Sequence, residues 1–302
     1  MIYVIGEALI DIIVDAEGKV LATVVGGAPL NTARTISRLD VSATFLGGIS
    51  TDTFGNRIMR LLAEDGVRYA LGSQVPEPTT LAIAELDKNG AATYRFVMDR
   101  TSATAVTPDA ALAAIGSDCR ALHAGTLGLV LQPLADATRA VVESSPADRI
   151  VMIDPNCRPS VMESSDTFRR TLDSVLARAD IVKVSGDDLA FMIPALDAQT
   201  AAQELQRESG ALVLFTDGAN SVQLITAAET VTLEVPKVKV VDTVGAGDSF
   251  GGGFLAQWLG RGLRRNDLAD LGAVVEAATF GIKVAGITCQ RAGADPPRAS
   301  EL

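Results

Sequence analysis

From about residue 120 onward, short apolar runs recur at intervals of roughly 30 residues, the length of a strand with its crossover helix: RALHAG (120–125), RIVMID (149–154), DIVKVS (180–185) and ALVLFT (211–216). The segments between them, QPLADATRAVVESS, SDTFRRTLDSVLARA and TAAQELQRES, mix apolar and charged residues at spacings of three and four, as amphipathic helices do. This rhythm predicts a doubly wound, mostly parallel α/β sheet with helices on both faces. Each run ends in small or polar residues: Gly125-Thr126, Asp154-Pro155-Asn156, Ser185-Gly186-Asp187-Asp188 and Thr216-Asp217-Gly218. Ligands of open α/β sheets bind outside the carboxyl ends of the strands, so these ends predict one shared crevice. The single histidine, His123, supports neither a metal cluster nor a Ser/His/Asp triad and reads as a hydrogen-bonded residue at a strand end.

The first hundred residues have a different texture. Segments 12–25 and 79–98 each read as two strands around a turn, at Glu17-Gly18 and at Asn89-Gly90, while LNTARTISRL and FGNRIMRLLAED between them read as helices. The hairpins are either ordinary edges of the main sheet or a small β lid that excludes water from a reaction beneath it. As a lid, they divide the chain into a core (1–11, 26–75 and 99–302) and a β subdomain (12–25 and 76–98).

Near the other end, VPKVKVV reads as a strand and DSFGGGFLAQWL as a helix with Phe250, Phe254, Leu255, Trp258 and Leu259 on one face. Gly245, Ala246 and Gly247 fall at the turn between them, where small residues let backbone N–H groups approach an anion at a helix start. Neither G-x-x-x-x-G-K-[ST] nor G-x-G-x-x-G is present in that register. Asp248 follows in the first turn. An acid there either caps the helix or accepts a hydroxyl proton during phosphoryl transfer, and both roles fit the residue's position.

At 302 residues and 48% hydrophobic content, the chain is expected to form one main domain with an appended subdomain. A net charge of −11 and the absence of any dense basic run argue against nucleic acid or an anionic membrane as partner. Cys119, Cys157 and Cys289 lie far apart and suggest neither zinc nor a disulfide framework, which fits a reducing cytoplasm. The N-terminal run carries Glu7 and Asp11 and lacks a basic leader, unlike a signal peptide, and no apolar stretch is expected to reach the length of a bilayer span. The tail GADPPRASEL reads as an exposed surface segment.

Two stretches over 200 residues apart, DTVGAGDSFGGGF and GGAPLNTARTISRLDVSATFLGGISTDTFGNRI, resemble the C-terminal and N-terminal signatures of the ribokinase, or PfkB, family of carbohydrate kinases. The resemblance implies a ribokinase-like fold with a β lid and phosphoryl transfer from ATP, with Mg²⁺ and a potassium-like ion as cofactors. It implies Asp248 as catalytic base, with Gly245, Ala246 and Gly247 as the anion hole. Asp11, Gly26, Gly27, Asn31 and Asp242 are then sugar-side residues; Asn31 reads equally as a helix cap, and Asp242 as an Asx turn ending a strand. Asp242 with Thr243 also falls where the family has monovalent-cation contacts.

DPNCRP resembles the D-x-N-x-R stretch of fructokinases and 2-keto-3-deoxygluconate kinases, which implies Asp154, Asn156 and Arg158 on the phosphate or substrate side. Arg158 either clamps charge there or caps a neighbouring acid. The family's N-x-x-E motif reads Ser185-Gly186-Asp187-Asp188 here. Ser185 replaces the asparagine, and Asp188 would reach metal through water. Thr216 and Gly218 match the nucleotide-side loop, and Cys289 reads as a packing residue. Tyr94, Phe96 and Arg100 of the lid are expected to help select the sugar. Together the stretches look most like fructokinases, implying a ketose phosphorylated at its primary hydroxyl. 2-Keto-3-deoxygluconate is the alternative acceptor, and a non-catalytic sugar sensor is the rival class. A free lid edge also suits a homodimer.

Overall fold

The computed structural model describes residues 1–88, 92–162 and 166–302. The turn expected at Asn89-Gly90 lies outside the described residues. Thirteen strands are described, in chain order β1 (Ile2–Ile5), β2 (Leu9–Val14), β3 (Val20–Gly26), β4 (Ala43–Leu46), β5 (Arg68–Tyr69), β6 (Thr80–Leu86), β7 (Ala92–Val97), β8 (Ala121–Gly125), β9 (Ile150–Asp154), β10 (Ile181–Ser185), β11 (Leu212–Asp217), β12 (Ser221–Ile225) and β13 (Thr230–Glu234). Nine form one sheet in the order β13-β12-β11-β10-β9-β8-β1-β4-β5, and four form a second in the order β3-β2-β6-β7. Every pair in the large sheet is parallel except β11 with β12 and β12 with β13. Strand order reverses at β1, which pairs with β4 on one side and β8 on the other. The crevice at such a reversal is where a ligand fits between diverging connections.

The four apolar runs become β8, β9, β10 and β11, and alternation assigns their side chains to two buried layers. In β10, Ile181 enters the layer beneath the helices Ala28–Arg38, Ala246–Gly260 and Leu271–Thr288, while Val182 and Val184 enter the layer beneath Leu134–Glu143, Asp166–Leu176 and Ala198–Ser209. The helix Ala246–Gly260 is buried nearly all round, and its glycine run serves packing. A Cβ on Gly252 would lie 2.8 Å from the Thr35 Cβ, and one on Gly253 would lie 3.1 Å from the Gly281 Cα. Glycine therefore sets how closely this helix approaches both its neighbours.

Leu271–Thr288 runs 18 residues at a mean hydropathy of 1.4, so the expectation that no apolar stretch reaches spanning length is corrected. Its buried Ala273, Val274, Ala277, Ala278, Gly281 and Ile282 pack in the core, as expected of a helix apolar on most sides.

Three further expectations are corrected. VPKVKVV is not a strand: the sheet ends at Glu234, Pro236 has no N–H to give a ladder, and Val240 and Val241 are exposed. His123 lies within β8, opposite Val4 and Met152, and neither ring nitrogen has a hydrogen-bond partner among the described residues. Burial first, and the nearby Lys183 second, push its pKa down to about 3, so the ring is neutral.

The tail, finally, is a strap. Pro296 and Pro297 are buried, Ala294 O accepts from Arg34 Nη1 at 2.9 Å, and Asp295 pairs with Arg38 at 2.5 Å. Asp65 gathers Arg34 at 2.7 Å, Arg38 at 2.8 Å and Arg298 at 3.1 Å around a carboxylate that is 1% exposed. Those three ion pairs hold the strap against the helix Ala28–Arg38.

Asp65→Ala strands two largely buried guanidinium groups and is expected to destabilise the protein by about 3–5 kcal/mol. A urea midpoint unchanged from wild type would show that the strap is held by its prolines alone.

Candidate active site

A cavity of about 530 Å³ opens at the carboxyl ends of β1, β8, β9 and β10 beneath the second sheet. The second sheet begins at Leu9, so Asp11 stands on it. Pairing sets Val24, Asp11, Ala82 and Phe96 in one rung and Ile13, Ala84 and Tyr94 in the next, and all of these line the cavity. The two alanines leave room between the Asp11 carboxylate and the stacked rings of Tyr94 and Phe96, 6.4 Å apart. Gly26 is required for the same reason, since a Cβ there would lie 2.0 Å from Asp11 Oδ2. Burial pushes Asp11 up to about 6, and Arg158 pulls it down.

On the opposite wall, the chain enters the helix Ala246–Gly260 through Gly245, whose φ of 76° is left-handed. Asp248, in the first turn, is 7% exposed, and its Oδ2 accepts a 3.0 Å hydrogen bond from Asn31 Nδ2. Asn31 thus lies inside the helix Ala28–Arg38 and is not its cap. Its Oδ1 is buried without a partner among the described residues. Burial raises the Asp248 pKa, opposed by the Asn31 hydrogen bond and by the Lys183 and Arg158 charges.

Lys183 and Glu7 complete the floor. Neither was a candidate in the sequence, although a charge inside DIVKVS and another inside the apolar N-terminal run were visible signals. Lys183 Nζ pairs with Asp154 at 3.1 Å, both nearly fully buried, and also lies where a Cβ on Gly247 would come within 2.8 Å. Burial lowers the Lys183 pKa, but Asp154, Asp188 and Asp248 outweigh it and hold the ammonium charged. Burial raises Asp154 to about 6 against the pull of Lys183.

Backbone strain collects at the same rim. Thr126 and Asn156, after β8 and β9, both take left-handed conformations at φ 51° and 39°. For a β-branched threonine that conformation is costly, of order 1–3 kcal/mol, and it persists where surrounding structure imposes it. Arg158 lines the cavity and donates from Nη1 to Asn156 Oδ1 at 2.8 Å and to the Asn156 and Cys157 carbonyls, and among the described residues it pairs with no acid.

Asp11, Gly26, Gly27, Asn31, Tyr94, Phe96, Asn156, Arg158, Asp242, Thr243, Gly245, Gly247 and Asp248 thus surround one cavity, with Ala246 in the turn between two of them. Ser185, Asp188, Thr216 and Gly218 do not line it. Ser185 and Asp188 form a reciprocal helix cap, and the other Asp188 oxygen accepts from Cys157 N at 2.6 Å. Thr216 Oγ1 donates to Val184 O at the end of β11. Asp242 makes an Asx turn with Val244 N and also accepts from Gly293 N at 2.8 Å, tying its loop to the strap. The exposed Arg100 pairs with Asp99 away from the cavity.

Sequence and structure comparisons agree on kinship. The family model described as "pfkB family carbohydrate kinase" matches residues 1–301. A fructokinase of Rhizobium leguminosarum bv. trifolii is 35% identical over 259 residues, 85% of this chain and 79% of that protein. A fructokinase of Xylella fastidiosa solved with bound ATP superposes with a TM-score of 0.83 at 26% identity, covering 97% of this chain and 93% of that one. A Vibrio cholerae fructokinase solved with fructose, ADP and a potassium ion shares the fold, with a TM-score of 0.81 at 23% identity over 97% and 93% of the two chains.

Gly245→Ala forces a left-handed alanine and brings its Cβ within 2.6 Å of the Ala294 Cβ. A loss of about 1–2 kcal/mol is expected from the backbone alone, more with the contact. Adding Ala294→Gly should restore only the contact part. Complete rescue in chemical denaturation would contradict the assigned strain.

Proposed function

The chain belongs to the pfkB family of carbohydrate kinases, and from that premise we propose that it transfers the γ-phosphoryl group of ATP to the primary hydroxyl of a neutral ketose, with fructose as the acceptor. The observation that carries this reading is Asp248. It is a buried carboxylate tethered by Asn31 at the start of a helix whose Gly247 and Asp248 line the same cavity as Asn31. In this reading Asp248 accepts the acceptor hydroxyl proton as its oxygen bonds to the γ-phosphorus. The bond from that phosphorus to the bridging oxygen breaks, and ADP leaves with the electron pair. The N–H groups of Gly247 and Asp248, which the helix start leaves free where that of Ala246 is given to Thr243 O, and the Lys183 ammonium oppose the charge on the phosphoryl oxygens. A sugar hydroxyl fills the vacancy at Asn31 Oδ1, so one amide holds both the base and the substrate.

Charge favours a neutral acceptor. Asp11, Asp242 and Asp248 line the cavity, and of its two cations Lys183 is already paired with Asp154. A sugar carboxylate meets repulsion over most of that surface. Arg158 is the one feature suited to 2-keto-3-deoxygluconate, and it is already engaged with carbonyls. The curated relative from Rhizobium bears the name fructokinase, which supports the same choice.

Among the described residues, no group of three or more His, Cys, Asp or Glu side chains could cage a metal. Mg²⁺ therefore fits this site as an ion carried in on the nucleotide, where it would offset phosphate charge. A potassium-like ion would sit at Asp242 and Thr243, since each Asp242 oxygen accepts one backbone N–H and keeps a lone pair for a cation. A second copy of the chain would add at the free edge of β3, where Val20 and Leu21 are exposed.

Asp248→Asn is expected to lower kcat on fructose about 10²–10⁴-fold, with the sugar KM little changed, in a coupled ADP-release assay. The base works ionised, and burial raises its pKa, so wild-type kcat/KM should fall with decreasing pH at a value above the ordinary carboxylate range. Turnover on 2-keto-3-deoxygluconate and none on fructose would replace the substrate. Sugar binding without any ADP release would leave a sensor.

A further inference from the structure

Glu7 follows β1 at the floor of the cavity and is 1% exposed. Its Oε2 accepts a 3.2 Å hydrogen bond from Leu127 N, on the turn after β8. Among the described residues it has no ion-pair partner, whereas Lys183 on the same floor is paired with Asp154. Arg158, the cation whose field it feels, donates to the carbonyls of Asn156 and Cys157. A carboxyl buried without a paired cation keeps its proton. Burial pushes Glu7 up to about 8; backbone N–H groups and Arg158 pull it down, and Asp248 adds to the rise. Asp11, Asp242 and Lys183 are the other charged groups lining the cavity.

A protonated Glu7 differs in kind from the acids around it. Asp11, Asp242 and Asp248 accept hydrogen bonds, and so does the vacant Asn31 Oδ1. A sugar needs donors as well, because its ring oxygen can only accept. A carboxylic acid supplies one O–H to the cavity while its carbonyl oxygen keeps the Leu127 N–H.

We propose that Glu7 is a specificity-determining residue which, as a neutral acid, donates its O–H to an oxygen of the bound sugar. This rests on the reading that the cavity holds the acceptor sugar. Its consequence is an affinity for sugar that weakens as pH rises, with no matching change in affinity for ATP.

Calorimetric titration of fructose into wild type, Glu7→Gln and Glu7→Leu tests it, with ADP release measured in parallel. For wild type, the fructose Kd should rise about tenfold between about pH 7 and about pH 9, as loss of one proton with a pKa near 8 requires. Glu7→Gln keeps an N–H donor and an acceptor for Leu127 and should bind fructose with that alkaline rise abolished. Glu7→Leu should bind weakly at every pH. An alkaline rise retained in Glu7→Gln, or unweakened binding in Glu7→Leu, overturns the proposal. If ADP release is absent while the pattern in Kd is seen, the kinase reading falls and Glu7 stands. If ADP release is normal and the rise survives in Glu7→Gln, only Glu7 falls. No fructose binding at any pH overturns both.

Discussion

A single hydrogen bond, 3.0 Å from Asn31 Nδ2 to Asp248 Oδ2, joins residues 217 positions apart, and much of the fold serves to make it possible. It requires the helices Ala28–Arg38 and Ala246–Gly260 to lie closer than ordinary side chains allow. Gly252 against Thr35 gives that approach, and Gly253 against Gly281 repeats it on the far side. The strap closes the arrangement from outside: Asp65 fixes Arg34 and Arg38 on the first helix, and those arginines hold Ala294 and Asp295 beside the turn that starts the second. A carboxylate in so dry a place would otherwise be costly to keep charged.

Around this bond the cavity concentrates acids and sets them apart by their partners. Asp242 has two backbone N–H groups, Asp248 has Asn31, Asp11 faces the field of Arg158, and Asp154, behind the wall, has Lys183. Glu7 has one N–H and no paired cation. The same residue class therefore yields different protonation states within one cavity, and environment alone separates them. The second sheet contributes by geometry more than by charge. Its pairing puts small alanines between Asp11 and the two rings, which makes a sugar-sized gap under a strand surface that would otherwise be filled.

Much of this was legible in the sequence for definite reasons. Crossover spacing announced β8 to β11, because a parallel pair requires a helix between its strands. The hairpin at Glu17-Gly18 was legible because Gly18 takes a φ of 81° that few other residues tolerate. The turn at Gly245 could be read as a helix start from its glycine content and from the apolar spacing that follows. The failures have equally definite causes. VPKVKVV alternates like a strand, but a pattern of side chains does not reveal that the sheet has run out of partners. The tail is polar and proline-rich, and only the distant Asp65 and Arg38 turn it into a strap. Lys183 and Glu7 were passed over because a lone charge in an apolar run announces burial without naming its partner. For His123 the expected partner does not exist among the described residues: its neighbours in the sheet are Val4 and Met152.

The central claim is that Asn31 and Asp248 act as one unit, and a double-mutant cycle on kcat/KM for fructose measures that most directly. Asn31→Ala alone should cost activity by loosening the base and losing a sugar contact. In the Asp248→Asn background the same change should cost much less, with a coupling of about 1–3 kcal/mol. Losses that simply add, with no coupling between the two sites, would contradict the account.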